Sequence, residues 1–222
     1  MQQKTILCFG DSNTWGYVPG ADGERVPLMG RWPSVMDVAL NGEEVGMSRP
    51  FIVVAEGLNG RTTVFDDPFS PGRSGAAAIS MLLETHAPVD LVIIMLGTND
   101  TKNVFQAAAE QIALGADRLL QLVAASDAGP GNAAPPALLV APPPVGALDA
   151  AMGVHFAPED RARAVSAGLA QTFRATASEW GAAFFDAGTV AAAGSDGIHL
   201  DVSGHRALGT ALAEVVALEL GR

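Results

Sequence analysis

The chain has 222 residues, about half of them hydrophobic, which suffices for one substantial core and argues for a single domain spanning 1–222. A formal net charge of -11 repels nucleic acid and anionic membranes, and neither is expected as a partner. The lone cysteine, Cys8, excludes an intramolecular disulfide, and its apolar neighbours mark it as a small buried hydrophobe rather than a reactive thiol. No window approaches the roughly 18 apolar residues of a membrane span. The first residues lack the apolar segment and cleavage site of a secretory leader, so a cytoplasmic protein is expected.

In chain order, apolar runs at residues 5–9, 51–55, 91–96, 137–141 and 182–185 show little alternation. That pattern suits strands of a parallel sheet buried on both faces. Helical spacing lies between them. Over 104–125, Val104, Ala108, Ile112, Leu119 and Val123 fall on one face. A second helix is predicted over 158–180, with weaker ones over 34–40 and 74–85. A last helix carries Leu208, Leu212 and Val215, with Ser203 as its N-cap. Alternating strand and helix predict an α/β fold, a three-layer α/β/α sandwich around a five-stranded parallel sheet. Residues 129–136 read as a surface connector. Residues 142–153 read as irregular and, following the fourth strand, as a wall of the ligand cleft.

Such sheets bind ligands beyond the carboxyl ends of their strands. Gly10-Asp11-Ser12 follows the first run, Asn59-Gly60-Arg61 the second and Gly97-Thr98-Asn99-Asp100 the third. Asp196-Gly197-Ile198-His199 follows the fifth and precedes the last helix. Each block alone has a bland reading: Ser12 as a helix cap, Asn99 and Asp196-Gly197 as turn formers, His199 as a loop histidine. Together they supply the parts of acyl transfer. A serine needs an imidazole to take its proton, and the imidazole needs an orienting carboxylate. Ser12, His199 and Asp196 fill those positions, the last two within reach of one turn. The developing oxyanion needs fixed donors, available from the N–H groups of Ser12 and Gly60 and the amide of Asn99.

At these residues the chain resembles the SGNH (GDSL-type) hydrolase family, with all four blocks in order over nearly its whole length. The stretches 6–16, 56–58 and 91–102 are similar, more narrowly, to the small intracellular aryl esterase/acyltransferase branch. The resemblance implies a flavodoxin-like sheet, a Ser12–His199–Asp196 triad and an oxyanion hole from Ser12, Gly60 and Asn99. It also implies a small-molecule ester substrate, acyl transfer to alcohols or hydrogen peroxide, and a homo-oligomer. No metal or organic cofactor is expected. One position departs from the family: Asn13 stands after the nucleophile where Leu is usual, which alters packing rather than chemistry.

Asp11, Trp15 and Ile198 flank the catalytic set and are the candidates for substrate contact, Trp15 having an equally good reading as an indole packed on the first helix. Asp66-Asp67-Pro68 reads as a solvated turn or as an acid pair for Arg61 or Arg73, rather than a cation site. His199 and His205, six apart, lack the spacing of two zinc ligands on one helix face, and no Gly-x-Gly-x-x-Gly follows the first strand. Two alternatives stay open. The same triad serves acetylated sugars, thioesters or lysophospholipids, or the chain is a flavodoxin-like binding module without catalysis.

Overall fold

The first strand, β1 (Lys4–Gly10), has Ile6 through Phe9 wholly excluded from solvent, because it lies in the middle of the sheet with apolar layers on both sides. The computed structural model, which describes residues 3–42, 46 and 49–221, adds β2 (Phe51–Gly57), β3 (Leu91–Met95), β4 (Ala137–Ala141) and β5 (Ala183–Asp186). All pair in parallel, in the order β2-β1-β3-β4-β5. The expected α/β sandwich with a five-stranded parallel sheet is therefore found.

Seven α-helices lie among the described residues: α1 (Ser12–Trp15), α2 (Trp32–Asn41), α3 (Gly75–His86), α4 (Ala109–Ala124), α5 (Ala150–Phe156), α6 (Glu159–Trp180) and α7 (Val202–Glu219). Successive strand residues point to opposite faces and split the core in two. Leu7, Phe9, Val92, Ile94 and Leu139 meet Ile79 of α3, Leu119 of α4 and Phe173 of α6. Ile6, Cys8, Ile93, Leu138 and Val140 meet Trp32 and Met36 of α2 and Leu208 and Leu212 of α7. The chain leaves β1 toward β2 but leaves β3 toward β4. The carboxyl ends of β1 and β3 therefore flank the crevice that this reversal opens in a doubly wound sheet.

Three local expectations change. The helix expected over 104–125 begins only at Ala109, since residues 103–105 form a 3₁₀ turn that ends at Gln106 with φ 51°. Gln111 closes the start of α4 by accepting the Ala108 N–H at 2.8 Å. Asp201, not Ser203, caps α7, its carboxylate accepting the Gly204 N–H and the Ser203 hydroxyl, both at 2.7 Å. Within 142–153, expected to be irregular, α5 begins at Ala150 because Asp149 accepts the Met152 N–H at 2.8 Å. No helix among the described residues is long and apolar enough to cross a membrane.

Candidate active site

The site starts where β1 ends. Asp11 caps the four-residue helix α1 by accepting the Asn13 N–H at 2.9 Å, so Ser12 is the first residue of the helix and not its cap. Its hydroxyl stands 2.9 Å from His199 Nε2, and His199 Nδ1 stands 2.6 Å from Asp196 Oδ2. An ionised carboxylate only accepts, so Nδ1 carries the proton, Nε2 accepts and the Ser12 hydroxyl donates. Asp196 Oδ1 also accepts the N–H groups of Ile198 (2.9 Å) and His199 (2.8 Å), and the Gly20 N–H reaches Oδ2 at 3.3 Å. Burial works to raise the Asp196 carboxyl. The bonds from His199 and Ile198, with the imidazole nearby, outweigh it and hold the group at about 2.

The loop after β2 is brought to Ser12 by Arg61, whose buried guanidinium lies 4.3 Å over the Phe9 ring and donates to the carbonyls of Gly10 (2.8 Å) and Glu56. Asp100 holds the other end of that loop by accepting the Thr63 N–H at 2.9 Å and the Thr63 hydroxyl. Burial of Asp100 is complete and raises its carboxyl to about 6 despite those bonds. Gly60 sits in this loop with φ 81°, a conformation that L side chains rarely adopt. Among the described residues, the N–H groups of Ser12 and Gly60 have no hydrogen-bond acceptor. Asn99 lines the cavity in front of Ser12 together with Gly60, and the two hydrogens of its amide are donated to Asp11 Oδ2 (3.3 Å) and the Arg61 carbonyl (3.2 Å). The structure thus brings Ser12, Gly60, Asn99, Asp196 and His199, from four separate blocks, into one place.

Of the three residues expected at the substrate, Ile198 lines the cavity in front of Ser12 and the other two do not. Asp11 is buried with its carboxylate turned inward to Asn13 and Asn99, and burial raises it to about 6. Trp15 is half-buried under Arg25, whose guanidinium carbon lies 4.5 Å from the ring centroid. A Cβ at Gly57 would overlap the Trp15 backbone, which explains why a glycine ends β2.

The stretch 142–153, expected to wall the cleft, contributes Met152 to the cavity in front of Ser12, but sequence reasoning did not name the residues that shape that cavity. It measures about 160 Å3 and is walled by Tyr17, Lys102, Met152, His155 and Phe156 as well as Ile198. Tyr17 stacks on His199, with ring centroids 4.3 Å apart and planes 27° from parallel. Lys102 and His155 also border a larger cavity of about 400 Å3 lined by Asp67, Phe69, Asn103 and Val154. Asp67 is paired with Lys102 at 2.8 Å rather than with Arg61 or Arg73, because Arg61 is spent on the carbonyls above. Asn13 does more than pack. Its amide donates to the Ile198 carbonyl (3.3 Å) and accepts the Leu200 N–H (2.8 Å), bracketing His199 from both sides. The signal was present in the sequence, as a polar residue where Leu is usual.

His205 is buried, accepts the Trp32 N–H on Nδ1 at 3.3 Å, and is lowered by that burial to about 4. Cys8 is buried, and desolvation pushes its thiol up. Among the described residues, no group of three His, Cys, Asp or Glu is placed to hold a metal ion.

Comparison with known proteins gives a consistent picture. The model of the GDSL-like Lipase/Acylhydrolase family matches residues 8–207. A structure of the native aryl esterase of M. smegmatis is 42% identical, covers 97% of this chain and 99% of its own, and superposes with a TM-score of 0.87. A carbohydrate acetylesterase from Sinorhizobium meliloti is 37% identical over 97% and 99% of the two chains, TM-score 0.88. A carbohydrate acetylesterase family member from the same organism is 41% identical over 99% and 100%, TM-score 0.89. Comparison with curated protein sequences finds no match. A family match over nine-tenths of the sequence, joined to solved relatives above 35% identity along the whole fold, places this chain in the GDSL-like lipase/acylhydrolase family.

Proposed function

We propose that this carboxylic-ester hydrolase works through an acyl-serine intermediate on Ser12 and prefers short acyl groups. The observation that carries the reading is the unbroken hydrogen-bonded line Ser12–His199–Asp196 at the crevice between β1 and β3. Ser12 Oγ attacks the ester carbonyl as its proton passes to His199 Nε2, and Asp196 stabilises the resulting imidazolium. The carbonyl oxygen, now negative, takes hydrogen bonds from the Ser12 and Gly60 N–H groups and from the Asn99 amide, one of whose two hydrogens turns to it from Asp11 or the Arg61 carbonyl. The carbon–oxygen bond to the leaving alcohol then breaks, and His199 Nε2–H protonates that alcohol. Water, an alcohol or hydrogen peroxide, deprotonated in turn by His199, attacks the acyl-Ser12 carbonyl, and the bond to Ser12 Oγ then breaks as His199 returns the proton to that oxygen and the acid, ester or peracid leaves.

Size supports the short acyl group, since about 160 Å3 beside Ser12 suits an acetyl or propionyl chain. In a nitrophenyl ester series, acetate is expected to exceed octanoate at least about tenfold in kcat/KM, as a chain that cannot be seated forfeits its binding free energy. Equal rates across the series would contradict the reading. A second reading concerns the alcohol. The larger cavity across Lys102 and His155 carries the polar groups of Asp67, Ser70 and Asn103, which favours a polyhydroxy alcohol such as an acetylated sugar. Acetate release from an acetylated xyloside, set against nitrophenyl acetate, tests it. The homo-oligomer belongs to the same proposal: Phe69, Val104 and Val154 expose apolar surface around that cavity, a face suited to a second copy.

A further inference from the structure

Tyr17 packs against His199, and the steps above give it no role. Its ring is fixed at both ends. The backbone N–H donates to the carbonyl of Ser12 at 3.0 Å, so the ring's position follows the nucleophile's own helix. At the far end the phenol donates to the Ala21 carbonyl at 2.6 Å and accepts the Gly23 N–H at 3.2 Å. Arg25, which bridges to Tyr17 as an antiparallel neighbour, is drawn aside over Trp15 and donates to the Trp15 carbonyl at 2.7 Å. The same loop sends the Gly20 N–H to Asp196, so one segment clasps both His199 and its carboxylate.

The edges of the His199 imidazole are occupied by Asp196 and Ser12, which leaves its two faces. Tyr17 covers one of them. An aromatic face carries negative potential and attracts a cation more than a neutral ring. Under the proposed function His199 is neutral at rest and cationic while each tetrahedral intermediate exists. The contact therefore strengthens as the reaction proceeds, which is the condition for an interaction to accelerate chemistry. We propose that Tyr17 is a positioning residue for His199, its stacked face fixing the plane of the imidazole and stabilising the imidazolium. This inference rests on the reading of His199 as the base.

The other titratable groups around His199 are Asp196 beside it on the same turn, Asp11 at the end of β1, His205 on α7, Lys102 and His155 across the cavity, and Asp22 and Asp149, which line a second cavity with Tyr17 and Asp196. None of them is substituted in a Tyr17 series, and Tyr17→Phe, which lacks only the phenol that anchors the loop carrying the Gly20 N–H to Asp196, separates the ring from that loop. The test is the pH profile of kcat/KM on nitrophenyl acetate for the wild type, Tyr17→Phe, Tyr17→Leu and Tyr17→Trp. Tyr17→Leu keeps apolar cover but loses the π face, and its acid limb is expected to move to lower pH by about half a pH unit or more while the plateau falls. Tyr17→Phe keeps the face, and its acid limb stays with the wild type. Tyr17→Trp offers a stronger face, and its limb moves to higher pH. A residue that merely fills space would lower the plateau and leave the limb in place.

Coincident limbs for Leu, Trp and wild type, or a limb that moves upward in Tyr17→Leu, overturn the inference. Should Tyr17→Leu fail to fold by thermal melting, the Trp and Phe limbs decide it alone. Ser12→Ala in the same series keeps the two levels apart. Activity retained there overturns the serine-esterase reading and this inference with it, whereas unmoved limbs in a Ser12-dependent enzyme overturn the inference only.

Discussion

The strand-end edge around Ser12 and the loops that wall its cavity are built on different physical terms. At the edge, Asp11, Ser12, Asn99, Asp196 and His199 are all buried, and each side chain has its polar partners inside the protein. Asp11, Ser12 and Asn99 follow a strand by a few residues, and Asp196 and His199 stand just before α7, so the sheet and that helix fix their places. The walls are the turn-rich segment from Tyr17 to Val26 and the short helix α5, where Gly20, Asp22, Glu24, Val154 and His155 are exposed. Proton transfer and oxyanion binding fail when donors move by an ångström, so the edge is over-determined. Substrate fit tolerates variation, and under the proposed function the walls are where that fit is set.

Substitutions at the edge should therefore cost turnover, and substitutions at the wall should redistribute it. After loss of the nucleophile itself, the largest effect is expected for Asn99→Ala, which removes a proposed oxyanion donor and should lower kcat on nitrophenyl acetate by about 100- to 1,000-fold with KM little changed. Loss confined to KM would move Asn99 from the edge to the wall. Next is Asn13→Leu, the residue usual at this position. It leaves the Leu200 N–H and the Ile198 carbonyl without their buried partner, at a cost of about 1–3 kcal/mol in urea unfolding, and kcat should fall more than KM changes. Unaltered stability would mean that the bracket around His199 is dispensable.

The support beneath the edge is tested through pH. His205 is lowered by burial to about 4, against an ordinary value near 6.5, so the folded chain binds its proton later than the unfolded chain does. Stability from this group is complete above the ordinary value and is lost as pH falls from there to about 4. The melting temperature of His205→Gln should fall less over that window than the wild type's, and parallel curves would contradict it. The smallest effect is expected at the wall. Met152→Ala should change the ratio of kcat/KM between acetate and butyrate esters by less than about tenfold, the scale of one or two methylenes in a pocket.

The same division governs what could be read from the sequence. The strands were legible because burial on both faces leaves unbroken apolar runs, as in Ile6–Phe9 of β1, fully excluded from solvent. The four blocks were legible because acyl transfer admits few residue types, and each stands directly after a strand or before α7. Helix α5 was not, since seven residues carry too little periodicity and its start depends on the Asp149 cap. Residues 104–108 continued an apolar spacing into a stretch that turns at Gln106, where no glycine or proline marks the break. Tyr17 was invisible for a related reason. Its stack on His199 arises from a loop that returns through Gly16 at φ 94° and pairs Tyr17 with Arg25, a juxtaposition with no counterpart in local sequence. Asp11 was legible as a member of the motif but not in its role, because only the fold turns its carboxylate toward Asn99.

The most direct test of the central claim is hydrolysis of nitrophenyl acetate by the purified protein beside Ser12→Ala prepared in the same way. The wild type should release nitrophenol and the variant should be slower by about 10,000-fold or more, as when a triad nucleophile is removed, with its melting temperature retained. A folded Ser12→Ala protein that hydrolyses the ester at a comparable rate would contradict the claim that Ser12 carries the acyl group.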